Sequence, residues 1–178
     1  NILSEATAAG ELPKQIGQIY TAIDPIRPDS IYINAVRLIE KDCTTTADLS
    51  ASELEGRQQI LKLMNVLSKR IPAFKHAFIE QIAPQVGWRE SRRLVGEYIT
   101  TRTDLMECRQ FEDTIAQGTY RIDIHNPTGS GTLFEEFSGQ QFYQIPLRSL
   151  VPKEISNLLV AGRCLSATHE ALGGIRVM

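Results

Sequence analysis

The sequence predicts an α+β chain in which a mixed, mostly antiparallel sheet packs with helices, and three observations carry that prediction. Residues 50–71 repeat apolar side chains at helical spacing. Several short runs rich in β-branched and aromatic residues are separated by turns bearing proline or glycine. Near the end, Leu158, Leu159, Val160 and Ala161 form one apolar block, as in a strand covered on both faces.

In chain order, residues 2–9 have helical composition and stop at Gly10, with Pro13 just beyond, as at the end of a helix begun upstream. Residues 16–23 and 30–39 are expected to be strands joined by the turn Asp24-Pro25-Ile26-Arg27-Pro28-Asp29, as in a hairpin. A long helix is expected to start at Ser50, where Ser50 and Glu53 have capping-box spacing and Leu49 and Leu54 that of a hydrophobic staple. Ile60, Leu61, Met64, Leu67 and Ile71 continue its apolar stripe to Pro72. Phe74, Ala77, Phe78 and Ile82 predict a shorter helix ending before Pro84. Beyond Val86 the expected strands are 94–100, 120–125, 142–150 and 157–161, with Thr128-Gly129-Ser130-Gly131 as an exposed loop. There is no internal repeat.

The 178 residues are 42% hydrophobic and 22% charged, an ordinary globular balance for one domain with a real core. A formal net charge of −2 creates no field to collect nucleic acid or anionic lipid, and no apolar run reaches the length of a membrane span. Cys43, Cys108 and Cys164 are odd in number and far apart, without CxxC spacing. They fit reduced thiols and lean towards the cytoplasm, which leaves localisation unassigned. The three histidines show no ligand spacing, so no metal is predicted, and no GxSxG elbow marks a hydrolase. The chain opens on Asn1 and closes on Gly173-Gly174-Ile175-Arg176-Val177-Met178, which reads as a piece cut from a larger protein.

Three groups of residues have the composition of sites. Arg89, Arg92 and Arg93 with Glu90 supply guanidinium forks for a carboxylate or phosphate, or else form a solvated charged turn. Arg148 adds a further cation. Tyr120, Ile122 and Ile124 alternate with Arg121, Asp123 and His125, placing an ionisable triplet on one face. That face either lines an active site, with His125 carrying a proton, or is the wet side of a sheet. The apolar block 158–161 runs into Gly162 and Arg163, a tight turn at the carboxyl end of a parallel strand, where open α/β sheets bind ligands. His76 takes no role.

Asn157-Leu158-Leu159-Val160-Ala161-Gly162-Arg163-Cys164, followed by Ser166-Ala167-Thr168-His169-Glu170-Ala171 and Gly173-Gly174-Ile175-Arg176-Val177-Met178, resembles the C-terminal signature of FAD-dependent oxidoreductases related to fumarate reductase flavoproteins. Gly87-Trp88-Arg89-Glu90-Ser91-Arg92-Arg93-Leu94-Val95-Gly96, residues 120–125 and residues 145–152 resemble the same family in the same order, so the likeness extends from about Ser50 onward. It implies a substrate-domain region, 1–156, and a returning segment, 157–178, whose strand belongs to a Rossmann-like FAD domain in the parent protein. Ala161, Gly162 and Arg163 then contact FAD. Arginine cannot accept a hydrogen bond from a ribityl hydroxyl, so that contact uses backbone groups, or Arg163 meets a phosphate. Gly173, Gly174, Ile175, Arg176 and Val177 pass under the isoalloxazine ring. His169 and Glu170, between these turns, become acid–base candidates beside His125, with Arg89, Arg92 and Arg148 holding a small organic substrate.

The implied activity is hydride transfer between that substrate and flavin. Two other readings are a non-catalytic binding or structural domain derived from a flavoprotein scaffold, and a self-contained enzyme of another type. The chain contains no GxGxxG turn for the pyrophosphate, and the resemblance calls for a helix after Met178, so this piece alone is expected not to hold FAD. Without parallel neighbours, the 158–161 strand is expected to add to a sheet edge of its own chain or to pair with a second copy.

Overall fold

The computed structural model describes residues 1–126, 131–137 and 142–177; Thr128, Gly129 and Ser130 of the expected loop, and Met178, lie outside them. The chain forms two compact units, Asn1–Gly87 with Asn126–Gly131, and Trp88–His125 with Thr132–Met178. This division by packing does not bear on the division expected at residue 157, which concerns membership of a flavoprotein fold. Helices and small antiparallel sheets together make the class α+β.

In the first unit, helix α1 (Ile2–Ala8) is capped by Asn1, whose side chain accepts the Leu3 N–H at 3.0 Å. Helix α2 spans Thr46–Arg70. Leu3, Ala6, Leu12 and Ile16 close on Leu63, Val66 and Leu67 of α2, and this apolar cluster is the unit's core. Arg70 fastens the same contact by ion pairs to Glu5 and Glu11 at 3.5 and 3.0 Å. The hairpin is present, with β1 (Tyr20–Ile23) antiparallel to β2 (Ile31–Asn34). Asp24 organises its turn by accepting the Ile26 and Arg27 N–H groups at 2.9 and 3.2 Å.

Two helical expectations are corrected here. Helix α2 starts four residues before Ser50, because Thr45 accepts the Asp48 N–H at 3.3 Å while Asp48 accepts the Asp42 N–H at 2.9 Å. Glu53 instead accepts the Val86 N–H at 2.6 Å, and Leu54 is exposed, so neither the Ser50 box nor the Leu49 staple forms. The end falls where the sequence places it, at Ile71, held extended by Pro72. The second helix reduces to a 3₁₀ turn, Pro72–Phe74, and Phe78 is 82% exposed. A short stripe does not sustain a helix without a surface to bury it.

The second unit pairs β3 (Thr114–Gly118) with β6 (Tyr143–Pro146), and β4 (Ile122–His125) with β5 (Thr132–Glu135), both antiparallel. Helix α3 (Arg102–Met106) opens with a capping box between Thr101 and Asp104, and helix α4 spans His169–Ile175. Leu105, Ile122, Tyr143, Ile145, Ala171, Leu172 and Ile175 make the core. The expected strand 94–100 is reduced to two isolated pairings, Gly96 with Pro152 and Thr100 with Ala167. They flank a buried polar seam in which the Thr100 and Ser149 hydroxyls are 2.7 Å apart and Ser166 Oγ accepts the Gly96 N–H at 3.1 Å. A Cβ on Gly96 would come within 2.8 Å of the Ser166 Cβ, so the seam requires glycine there.

The apolar block 158–161 is not a strand. Leu159 is 64% exposed, and the segment's one backbone bond to the rest of the unit runs from the Val160 N–H to the Leu150 carbonyl at 2.9 Å. It adds to no sheet edge of its own chain among the described residues. Apolar composition marks a buried strand only where neighbours pair its backbone along its length, and among the described residues only Val160 is so bonded.

Candidate functional site

The segment beginning at Trp88 is stitched to three elements of the second unit by side chains adjacent in sequence. Arg163 donates to the Trp88 carbonyl, Arg89 reaches β4, and Glu90 reaches the first turn of α4. The Leu94 N–H closes the stretch on the Cys164 carbonyl at 2.8 Å. Arg89, Glu90, His125, His169 and Arg176 are thereby gathered on one unit.

Asp123 is the centre of the first polar group. It is 6% exposed on β4 and receives Arg89 Nη1 at 3.1 Å and Arg176 Nη2 at 3.3 Å on Oδ2. Arg176 Nη2 also donates to the Asp123 backbone carbonyl at 2.9 Å, and the Tyr120 hydroxyl lies 3.4 Å from Oδ2. His125 Nε2 stands 3.4 Å from Oδ1, as strand alternation requires of residues two apart. Arg121 leaves the expected triplet, its guanidinium stacking 3.8 Å from the Phe134 ring centroid and pairing with Glu136 at 3.1 Å. The face is not wet at Asp123. Burial, with Arg89 beside it, lowers the pKa of Arg176 against the opposing pull of Asp123.

The second group is a chain from Arg93 through Glu90 to His169. Glu90 Oε1 pairs with Arg93, and Oε2 lies 2.5 Å from His169 Nδ1. His169 is the first residue of α4 and its side chain is 56% exposed. Glu170 is held ionised, its carboxyl lowered by its own backbone N–H and the Thr168 hydroxyl, with His169 and Arg93 adding to the effect. The two acid–base candidates therefore differ in setting: His169 is paired to Glu90, and Glu170 is held by donors at the start of α4.

The remaining predicted residues disperse. Arg92 is exposed and joins no ion pair among the described residues. Arg148 places its fork on Asp113 at 2.9 and 3.1 Å and lies 5.4 Å from the Tyr98 ring centroid, so its donors are engaged within the fold. Ala161, Gly162 and Arg163 form an exposed turn. Gly162 has φ +72°, and nothing lies within 4 Å of a Cβ placed on it, so this turn can be approached closely from outside. Gly173, Gly174 and Ile175 are buried in α4. A Cβ on Gly173 would meet the Asp123 carbonyl at 3.2 Å, and one on Gly174 would meet Leu105 Cδ2 at 2.8 Å. These glycines let α4 close on β4 and α3, so the space their missing side chains leave is filled by protein. Val177 is exposed. The 161–163 turn thus has open space beside its backbone, whereas the space beside Gly173 and Gly174 is taken by β4 and Leu105.

Sequence reasoning gave Asp123 no role of its own, placing it with Arg121 and His125 on a face that either lines an active site or is the wet side of a sheet, and did not foresee the turning of Arg176 onto that carboxylate. The available signal was a lone acid between Ile122 and Ile124, with Gly173-Gly174 far downstream able to cover it. Among the described residues no group of His, Cys, Asp or Glu is arranged to hold a metal, and no helix is long and apolar enough to cross a membrane. The chain matches the family described as FAD dependent oxidoreductase over residues 4–178. No curated protein and no solved structure matches it.

Proposed function

The chain belongs to the FAD dependent oxidoreductase family, and from that premise we propose that it works as a C-terminal, fumarate reductase flavoprotein-like part of an enzyme transferring hydride between a small organic substrate and flavin. When bound, FAD supplies the hydride acceptor or donor. Of the residues read as cofactor contacts, Ala161, Gly162, Arg163 and Val177 are those this chain offers to a cofactor, the first three through an open turn. Gly173, Gly174 and Ile175 support the site by seating α4 on β4.

The observation that carries the proton step is the 2.5 Å contact between His169 Nδ1 and Glu90 Oε2. A carboxylate on Nδ1 fixes the ring and selects the tautomer, leaving Nε2 to give or take a proton as hydride moves. Arg93 holds Glu90 in place. Glu170 follows His169 in sequence, its carboxyl lowered chiefly by its own backbone N–H, and is the second acid–base candidate. His125 is the alternative carrier, oriented by Asp123. Arg89 and the exposed Arg92 are the substrate-facing cations, while Arg148 serves them from its pair with Asp113.

In the intact flavoprotein, His169→Ala is expected to slow substrate-driven bleaching of the flavin by about 10²- to 10⁴-fold with the flavin still bound. Unchanged bleaching in His169→Ala, with loss of it in His125→Ala, would move the proton step to β4. An intact protein without flavin absorbance would end the oxidoreductase reading and leave a binding domain on a flavoprotein scaffold. The 178-residue chain alone, with no GxGxxG turn, is expected to purify colourless.

A further inference from the structure

Around Asp123 the charges do not cancel. Two guanidinium groups, Arg89 and Arg176, converge on one carboxylate, leaving one positive charge in excess in a group where Asp123 and Arg176 are almost wholly covered. The neutral alternative of solvent screening is weak there, since the Arg176 side chain is only 11% exposed. The donors do not balance either. Arg89 gives Asp123 only Nη1, and Arg176 gives it only Nη2. The Nε and second terminal nitrogen of each therefore have no acceptor among the described residues, although a guanidinium carries five N–H donors. Arg89 is 44% exposed, so the surplus is reachable from solvent. Asp123 Oδ1 makes no hydrogen bond and stands near His125, so the acid's charge is divided between the arginine pair at Oδ2 and the imidazole at Oδ1.

We propose that Arg89 and Arg176 together form a binding site for a singly charged oxyanion, a carboxylate, and that Asp123 is the positioning residue that holds the two forks side by side. A carboxylate matches the excess in charge and the planar fork in geometry, whereas a phosphate dianion overshoots the charge. Its arrival relieves the repulsion from Arg89, which adds to burial in depressing Arg176. Arg176, far from Arg89 in sequence, becomes the second arm of the site. The inference rests on the flavoenzyme reading only in making that carboxylate part of the substrate, and anion binding is measured without flavin.

The test is a titration of the 178-residue chain with sodium acetate, and separately with inorganic phosphate, at constant ionic strength, following the arginine Nε–Hε signals by NMR. Acetate is expected to shift two arginine signals saturably, and Arg89→Gln to weaken binding about tenfold or more. Arg89→Lys, which keeps the charge and loses the fork, is expected to fall between them. Asp123→Asn makes the cluster more positive yet is expected to weaken acetate binding, because the forks are no longer held together; tighter binding would show simple charge attraction and overturn the positioning role. Should Asp123→Asn fail to fold, the exposed Arg89→Gln variant decides the site alone. Absence of saturation with acetate, equal affinity in Arg89→Gln, or tighter binding of phosphate would each overturn the proposal. Loss of acetate binding with flavin chemistry intact would sink this site and not the oxidoreductase reading; the converse separates them the other way.

Discussion

The two units hold their polar groups differently. In the first, an apolar cluster joins α1 to the C-terminal half of α2, while Ser52 Oγ and Gln59 Oε1, buried on α2, have no hydrogen-bond partner among the described residues. In the second, Asp123 Oδ1 and Thr132 Oγ1 are likewise without a hydrogen bond, but polar groups are cross-linked over long sequence distances: Arg89 to Asp123, Glu90 to His169, Thr100 to Ser149 and Asp113 to Arg148. Asp104, almost fully buried, alone receives the Thr101 N–H and hydroxyl, the Tyr98 hydroxyl and Arg109. Ion pairs that join distant segments fix side chains relative to one another, as Arg70 does for α1 and α2 and as a reacting site needs. In the second unit they converge on Asp123 and Glu90, and the proposed chemistry is placed there.

The largest test of that contrast is Leu172→Ala. Leu172 is fully buried between α4 and the β4 side of the core, and its truncation is expected to cost about 2–5 kcal/mol of unfolding free energy. Trp88, the single tryptophan, lies in the second unit and reports the transition by fluorescence in urea. A cost below about 1 kcal/mol would mean that α4 packing does not hold the site together.

A smaller effect is expected at Asp104. Burial pushes its carboxyl up, but the Thr101 N–H and hydroxyl, with Tyr98 and Arg109, outweigh it and leave the folded pKa below the ordinary value. The folded value being the lower one, this stabilisation is complete above the unfolded pKa of about 3.9 and is lost as pH falls through the folded value. Asp104→Asn should therefore cost about 1–3 kcal/mol at neutral pH and flatten, in part, the fall in stability below about pH 4. Asp24, Asp113 and Glu170, lowered chiefly by the Ile26 N–H, by Arg148 and by a backbone N–H respectively, add to the rest of that slope. An unaltered acid limb would show that Asp104 is not held in its charged form. The same network raises the Tyr98 hydroxyl to about 12, chiefly by burial and then by Asp104.

The smallest test separates two starts for α2. With Thr45 as the cap, Thr45→Ala is expected to cost about 0.5–2 kcal/mol, and Ser50→Ala less than about 0.5 kcal/mol. The reverse order, measured by thermal unfolding, would return the helix start to Ser50.

Much of the first unit is legible in its local patterns, since a helical stripe, a proline stop and an Asx turn are each complete within a few residues. The errors there are also local ones: Ser50 and Glu53 have capping spacing, yet Thr45 and Asp48 satisfy the donors first, and Glu53 is drawn to Val86. In the second unit the reading found β4 and β6 and overlooked β3, β5, α3 and α4, whose residues carry too weak a period to stand out, α4 because Gly173 and Gly174 interrupt it. Of the site, Arg89, His125, His169 and Arg176 were named from the chain, but Arg176 for a different role and Asp123 only as one side of a sheet.

By itself the sequence determined the α+β class, the hairpin, the end of α2, and, through the residues of its terminal signature, the family. Composition, periodicity and turn residues act over a few neighbours, and a signature is a property of order along the chain. Only the tertiary structure decided that the 158–161 block lies exposed, that Gly173 and Gly174 admit the backbone of β4 and the side chain of Leu105, and that two arginines share one aspartate. Those outcomes depend on which segments meet. Burial and charge pairing are set by groups tens of residues apart, and no local pattern records them.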